Sequence, residues 1–514
     1  MQKNHTMKQK VKDFISKYYL LLTFIIYTIL FFFFLPFFKY QINPDGISII
    51  NIAKKYLTGN LKLAVNGYWS PLISFLLIPF LVVFKEGVIS FKILSYFIGL
   101  FSIYSFDRFL KKSGLKSNYK KIFLIFIAPI LTTHFTLITI TSDFITTTFF
   151  LFLLSFLVDE NLFNNKYSFI LLGFVGFLTY LAKTYGFFFF LGLLIILFFI
   201  NLIKKNFKNL KYLLLSGIVF IILSSIWIFI VSAKYGYPTV GTTGKFNYTV
   251  LTIDTLKLKE IYTHPLPPPD SLSTSFWDDP SYVKHPEINI KMIIENLNYY
   301  LKIVSKKTLR ILKLLLSFSL FLPLFFILSI YLFIRKKKRK NLLLIFSASI
   351  LSFIGYLPVE IERRYIFINF YLIASLYLIV LENLKIKYYL KIASFVLISL
   401  SFLVMPIKEL KSDLNSGKDF YNLSLELKDL DISGNVASNS NRKNTTYLSY
   451  YLNLKYYGTF YYSDDENKFF EDLKRYRISY YFYYGNKPSF LDSTQIIYRT
   501  SLQNESLKIY RVNE

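Results

Sequence analysis

The chain has no cysteine among its 514 residues, which excludes disulfide staples, thiolate nucleophiles and cysteine-ligated zinc, and leaves the redox compartment unspecified. Histidine is nearly as scarce: His5, His134, His264 and His285 are scattered, without the paired spacing of a metal-binding motif. Acidic residues number 31 against 60 Lys and Arg, for a net charge of +29. No Gly/Ser-rich linker and no repeat of fixed period interrupts the chain.

What is abundant is apolar. The composition is 54% hydrophobic and 20% aromatic, far above a soluble domain of this length. A basic excess of this size would point to nucleic acid if it lay on one helix or beside an aromatic RNA-binding motif. Here the basic clusters punctuate long apolar runs, as cytoplasmic loops of membrane proteins do. Nucleic acid is therefore not an expected partner, and membrane lipid is.

The first run, Tyr18 to Phe38, carries no charge and is long enough to cross a bilayer. Lys3, Lys8, Lys10, Lys12 and Lys17 precede it, so the N-terminus is expected in the cytoplasm and the chain emerges before Asp45. The run is too long for a signal-peptide core and lacks a small-residue cleavage site, so it reads as a retained span. Further apolar segments follow near 71–84, 88–106, 122–140, 144–158, 169–182, 187–203, 212–231, 312–334, 342–357, 365–381 and 388–404. If all crossed, the basic loops 108–121 and 204–211 would lie outside, against the positive-inside bias. The segment that does not cross is the one from Pro71 to Phe84, which is short, opens with Ser70-Pro71 and contains Pro79.

The expected fold is thus an all-α polytopic membrane protein of about 11 transmembrane helices with an outer-face juxtamembrane helix. Residues 1–405 form its membrane domain, with outer loops 40–87 and 234–310. From 406 to 514 charge returns and apolar runs shorten. Glu466 to Arg477 has helical spacing, and Ile478 to Tyr484, Gln495 to Thr500 and Leu507 to Val512 read as strands of a small extracytoplasmic α/β domain.

Charged residues recur where outer loops meet apolar spans: Asp45, Asp143, Lys183, Glu360, Glu362, Arg363 and Arg364. An ionisable group there is costly unless paired or functional. Each also has a plainer reading. Asp45 fits a solvated turn between Pro44 and Gly46, Asp143 a helix cap, Lys183 an interfacial anchor, and the two arginines a surface network with Glu360 and Glu362.

Pro44-Asp45 after the first span, then Ala53, Gly59 and Tyr68-Trp69-Ser70-Pro71-Leu72, resembles the first outer loop of the GT-C membrane glycosyltransferases. Within that group it is most similar to the protein O-mannosyltransferases and the aminoarabinose transferase of lipid A. Thr141-Ser142-Asp143, Lys183-Thr184-Tyr185 and Arg363-Arg364-Tyr365 are similar to further marks of the same branch. The resemblance implies transfer of a sugar from a polyprenyl-phosphate carrier to a glycan, lipid or protein acceptor, at the extracytoplasmic face of the plasma (inner) membrane, with inversion. It also implies that Asp45 is catalytic. Many members carry an acidic residue directly after that aspartate, whereas this chain has Gly46.

The residues suit that chemistry. A positioned carboxylate such as Asp45 can take the proton of a hydroxyl acceptor. A departing phosphate needs charge more than protonation, which Lys183 and Arg363 or Arg364 supply, with Asp143 and Tyr185 beside them. Nucleotide sugars are cytoplasmic, so an outward-facing site favours a lipid-linked donor. Trp277, Asp278 and Asp279, in the Pro-rich outer loop, are candidates to stack on a sugar and accept its hydroxyls, with Trp277 equally suited to an aromatic belt. No cofactor is required, and a divalent ion at Asp45 and Asp143 is compatible with these residues but unsupported by any motif. The competing function is a transporter or flippase of lipid-linked sugars. Transporters place polar residues near the bilayer midplane, whereas the charges here gather at span ends.

Overall fold

The computed structural model describes residues 2–255, 265–283, 294–335, 339–460, 466–485, 496–502 and 505–512. His264, His285 and Gln495, the first residue of an expected strand, lie outside them. Among the described residues six helices are long and apolar enough to cross a membrane: Ser16–Phe38, Gly87–Lys112, Asn118–Ile138, Tyr185–Ile203, Phe207–Tyr235 and Tyr388–Ser412. The chain is a multi-pass membrane protein. The last of these stretches comprises the helices Tyr388–Ser401 and Val404–Ser412.

One expected span is not a single helix. Where the sequence shows one apolar run from Leu312 to Ile334, the chain forms two helices, Tyr300–Phe318 and Leu322–Ile334, bent by 93°. Ser319 at the break is extended (φ −160°, ψ 126°), and Pro323, in the first turn of the second helix, has no N–H to continue the ladder of the first. The helices Asp143–Leu157 and Ile368–Asn383 are only 15 and 16 residues long, yet almost every side chain in them is buried. They run through the middle of the bundle, covered by other helices on most sides.

Two short helices follow the first span in the chain and pack together. Pro44–Leu57, within a stretch expected to be loop, starts where the Asn43 side chain accepts from the Gly46 N–H and Pro44 fills the first turn. It buries Ile47, Ile49, Ile50 and Ala53. Its packing partner is Pro71–Phe84, which at 14 residues reaches only about 21 Å, well short of a hydrocarbon core of about 30 Å.

The C-terminal part is a five-stranded sheet in the order β2-β1-β3-β5-β4. The strands are β1 Asn435–Ser438, β2 Lys455–Thr459, β3 Ile478–Tyr484, β4 Ile496–Leu502 and β5 Glu505–Arg511. β1 pairs parallel with β2 and β3, while β3, β5 and β4 are antiparallel. The sheet is tied to the outer loop of the membrane part. The Tyr456 N–H donates to the Thr274 carbonyl at 2.7 Å, and the Leu266 N–H donates to that of Tyr457 at 2.8 Å.

Orientation is testable on a chain without native cysteine. Cysteines placed singly at the exposed positions Lys62 and Lys85, on either side of Pro71–Phe84, should both react with an impermeant thiol reagent added outside whole cells. Labelling of the Lys85 site only after the membrane is breached would mean that this segment crosses.

Candidate active site

Four charged side chains converge where the outer loops meet the bundle. Asp45 lies in the first turn of Pro44–Leu57; its Oδ2 accepts from Arg364 Nη1 at 2.6 Å and its Oδ1 from the Trp277 indole N–H at 2.9 Å. Asp143 opens Asp143–Leu157. It accepts from Lys183 Nζ at 2.5 Å and from the Thr141 hydroxyl at 2.7 Å, with Arg364 Nε 3.6 Å away. Arg364 thus stands between the two carboxylates, and its Nε also donates to Glu362 at 2.6 Å.

Local backbone conformation sets these directions. Lys183 ends Ser168–Ala182 in an extended conformation (φ −159°, ψ 136°), which throws its side chain off the helix axis. Its ammonium sits 4.1 Å from the centroid of the Tyr365 ring and 5.3 Å from that of Tyr356, over π faces that attract a cation. Arg364 belongs to the tight turn Arg363–Ile366, where consecutive residues point in different directions.

The cluster lines a cavity of about 660 Å³ walled by Tyr68, Trp69, Tyr185, Tyr356 and Tyr365. Burial pushes the phenol of Tyr68, in the loop before Pro71–Phe84, up from its ordinary range. A second, smaller cavity of about 410 Å³ shares Asp45, Thr141, Glu362 and Arg364 with the first and adds Asn43, Thr139, Arg363 and Glu409. Asp45 and Arg364 form part of the wall between the two spaces. Among the described residues no three metal-ligating side chains come together.

Of the residues singled out in the sequence, Asp45, Asp143, Lys183, Tyr185, Arg364 and Trp277 all line the larger cavity. Arg363 does not. It pairs with Glu409, whose other oxygen meets His134 Nε2 at 2.8 Å. Trp277 presents its N–H edge to Asp45. Asp278 and Asp279 also stay off the cavity wall. Asp278 is fully buried, accepting from Ser48 and Asn51 at 2.9 Å and from the Thr274 N–H at 3.0 Å. Burial pushes its carboxyl up, against those bonds and the charge of Lys55. Asp279 accepts from Lys234 and from the Tyr235 hydroxyl, both at 2.8 Å. These two carboxylates fasten the loop carrying Trp277 onto the helices Pro44–Leu57 and Phe207–Tyr235.

Gly46 has a steric reason. A Cβ there would come within 2.4 Å of Ile140 Cγ2, so no side chain fits without displacing Ile140. Sequence reasoning missed Tyr356 and Tyr365 as cavity walls; it offered Glu362 as an arginine partner in a surface network, and Glu362 is the third partner of Arg364 on the cavity wall. The run Glu360-Ile361-Glu362-Arg363-Arg364-Tyr365 held the signal for the latter two, without indicating which members face inward.

The helical bundle, its short helices at one end and the small C-terminal α/β unit together match a known membrane-protein fold. ArnT from Cupriavidus metallidurans shares that fold in two solved structures. The structure bound to undecaprenyl phosphate has a TM-score of 0.54 at 10% identity over 95% of this chain and 97% of that one. The apo structure has the same TM-score at 11% identity, over 96% and 97%. No family model and no curated protein matches the sequence. At these identities the likeness is one of fold.

The anchoring role of Asp278 separates from sugar contact by experiment. Asp278→Asn places an amide N–H₂ against donors that need an acceptor, and should destabilise the substrate-free protein by about 1–3 kcal/mol. A lowered melting temperature in detergent, without any ligand, is the expected result; an unchanged melting temperature with only a raised substrate KM would assign the residue to the sugar instead.

Proposed function

We propose that the protein is a membrane glycosyltransferase that moves a sugar from a polyprenyl-phosphate donor to a hydroxyl acceptor at the extracytoplasmic face of the plasma membrane. In this reading the N-terminus is cytoplasmic and the C-terminal unit extracytoplasmic. The observation that carries it is the meeting of Asp45 and Asp143 with Lys183 and Arg364 in one tyrosine-walled cavity at span ends. The shared fold with an ArnT that binds undecaprenyl phosphate supports the same donor class.

The donor phosphate sits against Lys183 and Arg364, whose charges stabilise it as it departs. Asp45 acts as general base. Its Oδ2 is bound to Arg364 in the ligand-free protein, so donor binding has a second consequence. A guanidinium that turns to the phosphate releases Asp45 Oδ2 to receive the acceptor's proton. The hydroxyl oxygen then bonds to the anomeric carbon from the face opposite the phosphate. The carbon–oxygen bond to phosphate breaks, its electron pair leaves with polyprenyl phosphate, and the anomeric configuration inverts. Asp143 holds Lys183 and steadies Arg364 while this happens.

Purified protein incubated with radiolabelled polyprenyl-phosphate sugars and hydroxyl acceptors should transfer label. Asp45→Asn should lower turnover by about 10²-fold or more, the loss typical of a missing general base, without weakening donor binding. Lys183→Gln and Arg364→Gln should each weaken binding of undecaprenyl phosphate by about 10- to 100-fold, through loss of a charge-assisted bond. Near-normal transfer by Asp45→Asn, with chemistry rate-limiting, would remove Asp45 as base. Movement of intact lipid across vesicles without sugar transfer would make the protein a flippase.

A further inference from the structure

The C-terminal unit places a cation beside the candidate site. Arg442 opens the helix Arg442–Leu452, and its guanidinium carbon lies 4.0 Å from the centroid of the Phe276 ring and 5.4 Å from that of Trp277. Trp277 is the residue whose indole N–H holds Asp45 Oδ1. We propose that Trp277 is a positioning residue for Asp45, and that the C-terminal unit, through Arg442, sets the strength and direction of that hydrogen bond. This inference rests on the glycosyltransfer reading of the site.

The indole is held from several sides. Tyr68 meets it edge-on, with centroids 5.5 Å apart, and Trp69 donates from its own indole to the Trp277 carbonyl at 2.9 Å. The flanking loop is joined to β2 by the Tyr456 and Leu266 N–H bonds and a parallel bridge between Ser275 and Tyr456. These contacts leave the N–H a single direction, towards Asp45. A cation against the ring face draws electron density from the indole and makes the N–H a stronger donor to a carboxylate. With Oδ1 fixed by Trp277 and Oδ2 by Arg364, the carboxylate plane cannot rotate. When Arg364 leaves for phosphate, Trp277 alone keeps the freed oxygen aimed at the acceptor. Membrane-embedded chemistry is thereby made dependent on a correctly folded and docked C-terminal unit.

The test is a double-mutant cycle on the full chain, with turnover and donor KM measured separately. Trp277→Phe keeps an aromatic ring but removes the N–H, and should lower kcat about tenfold or more while leaving the KM for the lipid-linked donor within about twofold. Arg442→Met keeps the length and removes the charge; it should lower kcat by a smaller factor, and Arg442→Lys should restore part of it. Because Arg442 acts through Trp277, the double variant should be no slower than Trp277→Phe alone. Losses that multiply in the double variant, or wild-type kcat in a well-folded Trp277→Phe, would overturn the proposal. If Trp277→Phe folds poorly, replacement of Trp277 by benzothienylalanine, which keeps the bicyclic shape without the N–H, reads the hydrogen bond alone; full turnover there is equally contrary. Absence of transfer by the unaltered protein would count against the glycosyltransfer reading, not against this assignment of Trp277.

Discussion

The site depends on the bond from Arg364 to Asp45. Two carboxylates and two cations lie together in a largely enclosed, aromatic space, where an isolated charge would carry a desolvation penalty of several kcal/mol. Each charge is tolerated because another answers it. Asp143 is matched by Lys183, Asp45 by Arg364, and Arg364 reaches back towards Asp143. Glu362 adds a third carboxylate to Arg364, so the cluster is a connected network of five charges. The arrangement is also poised. In the proposed reaction a donor phosphate draws Arg364 away from Asp45, and the carboxylate oxygen it gives up is the group the chemistry then needs, while Asp143 keeps Lys183 in place.

The fold brings these residues together from distant parts of the chain by ending elements at the same level. Pro44 and Asn43 start a short outer helix just after the first span, Asp143 starts a buried span, Lys183 ends another, and Arg364 lies in the turn before Ile368–Asn383. Helix ends expose unpaired N–H and C=O groups and admit abrupt changes of direction, so polar side chains concentrate there. The short outer helices cover the cavity from one side, and the loop carrying Trp277 closes it from another. That loop is rich in proline, with Pro265, Pro267, Pro268, Pro269 and Pro280. It is held by buried Asp278, by Asp279 and by the edge strand β2, which together replace the regular ladder it lacks.

Much of this is legible in the sequence, for one physical reason. A charge next to an apolar run is expensive, so Asp45, Asp143, Lys183 and Arg364 stand out from the sequence alone, and the basic loops mark Pro71–Phe84 as the apolar segment least suited to cross. Other features leave no such trace. Arg363 and Arg364 are adjacent and chemically identical, and only the turn decides that one faces the cavity and the other Glu409. Asp278 and Asp279 beside a tryptophan have the composition of a sugar site, yet their roles are set by side-chain partners more than forty residues away, with no local signature. The break at Ser319 falls within an apolar run, where hydropathy does not register a change of direction. The parallel strand β1 escapes sequence reading because four residues, Asn-Val-Ala-Ser, carry too short a pattern.

The most direct measurement is a structure of the protein with undecaprenyl phosphate bound. The account predicts the Arg364 guanidinium on a phosphate oxygen beside Lys183, with Asp45 Oδ2 released and its Oδ1 still on the Trp277 N–H. A phosphate bound elsewhere, with the bond from Arg364 to Asp45 intact, would contradict it.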